Sequence, residues 1–165
     1  MMRLRASARA AALAAAFLGG LVACAPPRET MRADPGGLYG RLDTPGTRFE
    51  EAAAISLVNA YRARHGLSAL AADDALSATA RERATRAGRE DRSVFGEVPD
   101  LTGPAGTGLR LSAGYLTTAE AFSGWRDVPA HERAMLDPAA RRIGIAAVHV
   151  PGSKYRVYWA VATGR

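Results

Sequence analysis

From Phe49 onward the apolar positions switch between two periods, and each switch marks a predicted element. Ile55, Val58, Tyr61 and Arg62 recur at helical spacing behind Glu50 and Glu51, and Gly66 closes the run, so the spacing predicts a first helix over 49–66. Asp73 or Asp74 suits the N-cap of a second helix, whose inner face of Leu76, Ala80, Ala84 and Ala87 is small enough to require close packing before it ends near Gly88. Residues 88–108 carry Gly, Pro and Asp without a period and read as a long loop, unusual in a compact domain. Leu109, Leu111 and Ala113 then alternate with Arg110 and Ser112, the period-two pattern of a short strand.

Thr117 followed by Glu120 has the spacing of a capping box and predicts a helix with Ala121, Phe122 and Trp125 inward. Pro129 fits the first turn of another short helix that reaches Leu136 and stops at Asp137-Pro138. The last third reads as two strands, 142–150 and 155–163, joined by a hairpin loop, with Tyr155, Val157, Trp159 and Val161 alternating on the second. Helices, a strand, helices and a hairpin predict an α+β fold in layers, with Tyr61, Phe122, Trp125 and Trp159 as core aromatics.

Ahead of this domain, Arg3, Arg5 and Arg9 precede an apolar stretch over 11–23 that is too short to span a bilayer and reads as an export leader. It ends in Leu21-Val22-Ala23-Cys24, which resembles the lipobox of bacterial lipoproteins. The expected organisation is therefore a signal peptide over 1–23, an acylated Cys24 with a flexible Pro/Gly linker to residue 48, and one domain over 49–165. That resemblance implies a lipoprotein of the cell envelope, held to a membrane by lipid (palmitate) on Cys24 and facing the periplasm. Ala25 in place of Asp after the cysteine implies the outer membrane if the cell has two. An ordinary secretory leader cut after Ala23 is the plainer alternative, and it leaves a free thiol.

Composition narrows the partners. Hydrophobic residues are 48% and charged ones 23%, so a packed core is expected, and with one Cys no internal disulfide can form. Removing the three leader arginines from 22 basic residues leaves 19 against 16 acidic ones, too balanced for a nucleic-acid-binding footprint.

The run Leu57-Val58-Asn59-Ala60-Tyr61-Arg62-Ala63-Arg64-His65-Gly66-Leu67, then Leu70 and Leu76, resembles the opening of bacterial CAP (SCP/TAPS) domains. Ala113-Gly114-Tyr115, Ala119-Glu120-Ala121, Trp125, Pro129-Ala130-His131-Glu132-Arg133, Met135-Leu136-Asp137, Ile143-Gly144-Ile145 and Tyr158-Trp159-Ala160 resemble that family's later motifs in order. The resemblance implies an α-β-α sandwich with a small antiparallel sheet between helices. It also points to a cleft where many members carry two histidines and two acidic residues. Here His131 matches one histidine, Leu109 stands in place of one acidic residue, Val128 in place of the other, and 89–99 holds no histidine.

One imidazole is too few for a zinc site, so no metal and no cofactor are expected. His131 is the candidate centre of a ligand cleft with Arg110, Arg133, Tyr115 and Ser112, and Glu120, Asp127 or Glu132 are candidates to orient its ring. The expected function is a non-enzymatic binding or structural module whose ligand is cell-wall material, a lipid or another envelope protein. The alternative is a hydrolase of peptide or peptidoglycan bonds with His131 as general base and Glu120 as its partner. Asn59 and Arg62, three apart on one helix face, are expected to bind backbone rather than ligand.

Overall fold

The computed structural model describes residues 35–91 and 108–165. The leader, Cys24 and residues 92–107 of the expected long loop lie outside the described residues. In chain order the elements are α1 (Pro35–Tyr39), α2 (Glu51–Arg64), β1 (Ala71–Ala72), α3 (Asp74–Arg89), β2 (Gly108–Ala113), α4 (Thr118–Asp127), α5 (Pro129–Met135), β3 (Arg142–His149) and β4 (Val157–Gly164).

The sheet order is β1-β3-β4-β2. The β3–β4 hairpin forms its centre, β2 pairs antiparallel with β4 from Gly108↔Thr163 to Ala113↔Tyr158, and β1 adds two residues parallel to β3. Side-chain alternation along β4 divides the core in two. Tyr158, Ala160 and Ala162 pack with Leu76, Ala80, Ala84 and Ala87 of α3. Val157, Trp159 and Val161 pack with Ile55 and Val58 of α2 and with Phe122 and Trp125 of α4. The result is an α+β, α-β-α sandwich around a mostly antiparallel sheet.

The small face of α3 lets it lie close on the hairpin. Asp73 caps the helix by accepting from the Leu76 N–H at 2.9 Å, and its other oxygen pairs with Arg142 at 2.7 Å, tying helix start to strand start. Gly144 sits where a Cβ would meet the Leu76–Ser77 backbone, so this crossing requires glycine. Glu51 reinforces the junction by accepting from the Ser77 hydroxyl at 2.6 Å and the Ile145 N–H at 2.8 Å.

Packing begins ahead of residue 49, the expected domain boundary. Leu42 is 7% exposed within the α2/α4 core, and its N–H donates to the Leu116 carbonyl at 2.8 Å. Asp43 is held by Arg41 at 3.0 Å and by Arg156 at 2.7 Å. Residues 35–48 thus belong with the domain and not with the flexible linker: their Pro/Gly content makes turns that deliver one leucine and one carboxylate to partners. Residues 32–165 form a compact unit of their own, and every core residue of the described chain falls between Leu42 and Ala162.

Candidate functional site

The candidate site lies where α5 meets the outer edge of β2. Pro129 occupies the first turn of α5, and His131 follows two residues later. The His131 ring is 6% exposed, with Nε2 3.1 Å from the Leu111 carbonyl oxygen. A carbonyl only accepts, so this contact places the ring proton on Nε2. Nδ1 is then an acceptor, buried and without a partner among the described residues. Burial pushes the imidazole pKa below its usual value, the Leu111 bond opposes this, and the neighbouring Arg110 guanidinium pushes it down further.

Arg110 donates from Nε to the Ala130 carbonyl at 3.1 Å and from Nη1 to the Leu109 carbonyl at 2.9 Å. Together His131 and Arg110 stitch the start of α5 along β2, which closes the strand edge that β4 leaves unpaired. Both residues are employed in holding the fold.

The other predicted cleft residues separate into three places. Ser112 is 8% exposed, and its Oγ accepts the Trp125 indole N–H at 2.9 Å inside the core. Glu120 completes the capping box, accepting from the N–H groups of Leu116 at 2.8 Å and Thr117 at 3.2 Å. Tyr115 lies against Gly124, where a Cβ would collide with its hydroxyl, and its carbonyl accepts the Trp159 indole N–H at 2.8 Å. With Glu120, Ser123, Asp127 and Val128 it lines a shallow, open depression of about 670 Å³. Arg133 is exposed on α5.

No carboxylate among the described residues bonds to His131. Glu120 is committed to its cap, Glu132 accepts the Tyr61 hydroxyl at 2.7 Å, and Asp127 lies in the Tyr115 depression. Leu109, at the expected acidic position, is 2% exposed in the α3 side of the core, and Val128 is 40% exposed. His65 ends α2 edge-on to Tyr61, with centroids 4.6 Å apart, and His149 is exposed at the end of β3. Among the described residues no three His, Cys, Asp or Glu side chains gather in a way that could hold a metal ion.

Two residues read from the α2 face prove to be internal ties. Asn59 exchanges two hydrogen bonds with the backbone of Leu70, at 2.8 and 3.0 Å, as a strand neighbour would. Arg62, 1% exposed, donates to the carbonyls of Ser68 at 2.8 Å, Met135 at 2.6 Å and Asp137 at 3.0 Å. Their spacing three apart was the available signal. Glu51 carried none, because its partners Ser77 and Ile145 are distant in sequence, and the Arg156 partner of Asp43 is equally remote.

No helix of the described residues is long and apolar enough to cross a membrane. The family model for the cysteine-rich secretory protein (CAP) family matches residues 55–163. Among solved structures, the chain is similar to an outer surface protein from Borrelia burgdorferi, at 20% identity and a TM-score of 0.55, over 69% of this chain and 91% of that one. It is also similar to an extracellular SCP-domain protein from Bacillus anthracis, at 17% identity and a TM-score of 0.55, over 70% of this chain and 40% of that one. At these identities the likeness establishes the fold. No curated protein is similar enough to count as a relative. With two thirds of its length under the family model and the matching sandwich around it, the chain belongs to the CAP family.

Proposed function

We propose that this CAP-domain chain is an envelope protein, tethered to a membrane by acylation of Cys24, that acts as a non-enzymatic binding or structural module. The observation that carries the non-enzymatic reading is the state of His131, whose ring is sealed, bonded to a backbone carbonyl and without a carboxylate among the described residues. General base catalysis needs an oriented imidazole within reach of a substrate proton, and nucleophilic catalysis needs a free hydroxyl beside it. Ser112, the serine of the expected cleft, accepts the Trp125 indole N–H inside the core. An envelope address is supported by the Leu21-Val22-Ala23-Cys24 sequence and by the names of two similar folds, one an outer surface protein and one extracellular.

The ligand of such a module is cell-wall material, a lipid or another envelope protein. Incubating residues 32–165 with purified peptidoglycan and with casein tests the catalytic side of the proposal. The expected outcome is no release of soluble fragments above the level without protein. Release that disappears in His131→Ala would establish the hydrolase instead.

A further inference from the structure

A row of aromatic and cationic side chains crosses from α2 to α4. The Arg64 guanidinium lies 5.6 Å from the centroid of the Tyr61 ring, Tyr61 meets Phe122 edge-on at 5.9 Å, and Arg126 lies 5.3 Å over Phe122. Arg64, His65 and Arg126 are exposed, Tyr61 is half-buried and Phe122 is buried. Neither guanidinium is in an ion pair with a described carboxylate; Arg126 makes one long contact with Ser123 Oγ at 3.4 Å. Glu132 is the carboxylate in the row, engaged by the Tyr61 hydroxyl at 2.7 Å. That bond and burial push the Tyr61 pKa up, while the charges of both arginines pull it back. An arginine stacked on a ring is held in place while its N–H edge stays free for an anion, and phosphate oxygens suit that fork.

We infer that this row is a docking surface for an anionic phospholipid bilayer, with Arg64 and Arg126 meeting headgroup phosphates and Tyr61 and His65 at headgroup depth. This rests on the reading of Cys24 as the membrane anchor. Ten residues, 25–34, lie between Cys24 and α1, a span of at most about 36 Å when fully extended. Gly37 of α1 lies beside Glu50 at the start of α2, and Tyr61 is about 15 Å further along that helix. An acyl chain on Cys24 therefore keeps the row within about 60 Å of lipid. Complementary charge does the rest, since each arginine at an anionic surface strengthens attachment. Asp127, next to Arg126 in sequence, lines the Tyr115 depression.

Flotation of residues 32–165 with phosphatidylcholine vesicles, and with vesicles one-third phosphatidylglycerol, tests this without Cys24, so a failure of acylation and a failure of the docking surface are distinguishable. The expected result is partition onto the anionic vesicles that falls with salt and is weakened about thirtyfold by Arg64→Gln with Arg126→Gln, the melting temperature being unchanged. Arg64→Lys with Arg126→Lys should retain much of the binding. Equal partition onto both vesicle types, an undiminished double glutamine variant, or loss caused instead by Arg81→Gln with Arg89→Gln on α3 would overturn the inference.

Discussion

Trp125 donates its indole N–H to Ser112 Oγ at 2.9 Å, and this bond fixes α4 to the sheet inside the core. Trp125 is 1% exposed and meets Trp159 edge-on at 5.7 Å, so one side chain joins a helix, β2 and β4. Trp125→Ala should cost about 3–5 kcal/mol of stability as a large core truncation. Ser112→Ala should cost about 1–3 kcal/mol by leaving the indole N–H without an acceptor. Urea unfolding of both variants measures this, and a Ser112→Ala value near zero would mean that the hydrogen bond contributes nothing.

Arg62 is the second internal tie. Its three carbonyl acceptors lie beyond the end of α2 and at the end of α5, so the guanidinium joins two chain segments some seventy residues apart. Arg62→Met should destabilise the fold by roughly 2–5 kcal/mol, because the carbonyls lose their donor within the protein. Arg62→Lys should recover only part of this, since a single ammonium cannot span the fork of contacts. Hydrogen exchange protection of the α5 amides should fall in both variants; unchanged protection would contradict the assignment.

The sequence was legible wherever a residue's partner lies close along the chain or its period is strong. Thr117 and Glu120 are three apart, so their capping box is a local event, and it forms as the spacing predicted. The small face of α3 and the alternation of β4 likewise carry through to the two halves of the core. The candidate cleft was less legible. Strand parity places Arg110 and Ser112 on one face of β2, as expected, but parity does not reveal that α4 and α5 fill that face and consume both side chains. Residues 35–48 were misassigned for a related reason: Pro and Gly announce turns, yet nothing local tells that Leu42 returns to the core or that Asp43 finds Arg156. Cys24 and residues 92–107 lie outside the described residues, so the lipid anchor stands as proposed.

His131 gives the fold a pH dependence with a definite sign. Burial and then Arg110 depress its folded pKa relative to the unfolded chain, the Leu111 bond opposing, so the neutral ring is the form that fits. A group with a depressed folded pKa contributes stability that is complete above the unfolded value, near 6.5, and is lost as pH falls through the folded value. Stability should therefore hold steady above about pH 7 and decline below about pH 6.5, by at most about 1.4 kcal/mol per pH unit from this residue. His131→Gln should be flatter over that range in urea midpoints taken at several pH values. A wild-type midpoint that stays flat or rises on acidification over this range, matched by the variant, would contradict the sealed neutral ring.

Gly144 tests the close approach of α3 to the sheet. Its neighbour is the backbone of Leu76 and Ser77, which cannot move aside as a side-chain tip would. Gly144→Ala should destabilise the protein by about 1–3 kcal/mol as local overpacking. Gly152, at φ +81 in the hairpin loop with open space around its Cβ position, is a control for backbone strain alone. Thermal melts of Gly144→Ala that match the wild type would show that the helix is not seated as described.

Metabolic labelling with radioactive palmitate tests the proposed membrane tether through Cys24 most directly. The account predicts that label enters the full-length chain expressed in a bacterium with lipoprotein processing and that Cys24→Ser abolishes it, moving the protein from the membrane to the soluble fraction. A wild-type chain that takes up no label, or a Cys24→Ser chain that stays labelled and membrane-bound, would contradict it.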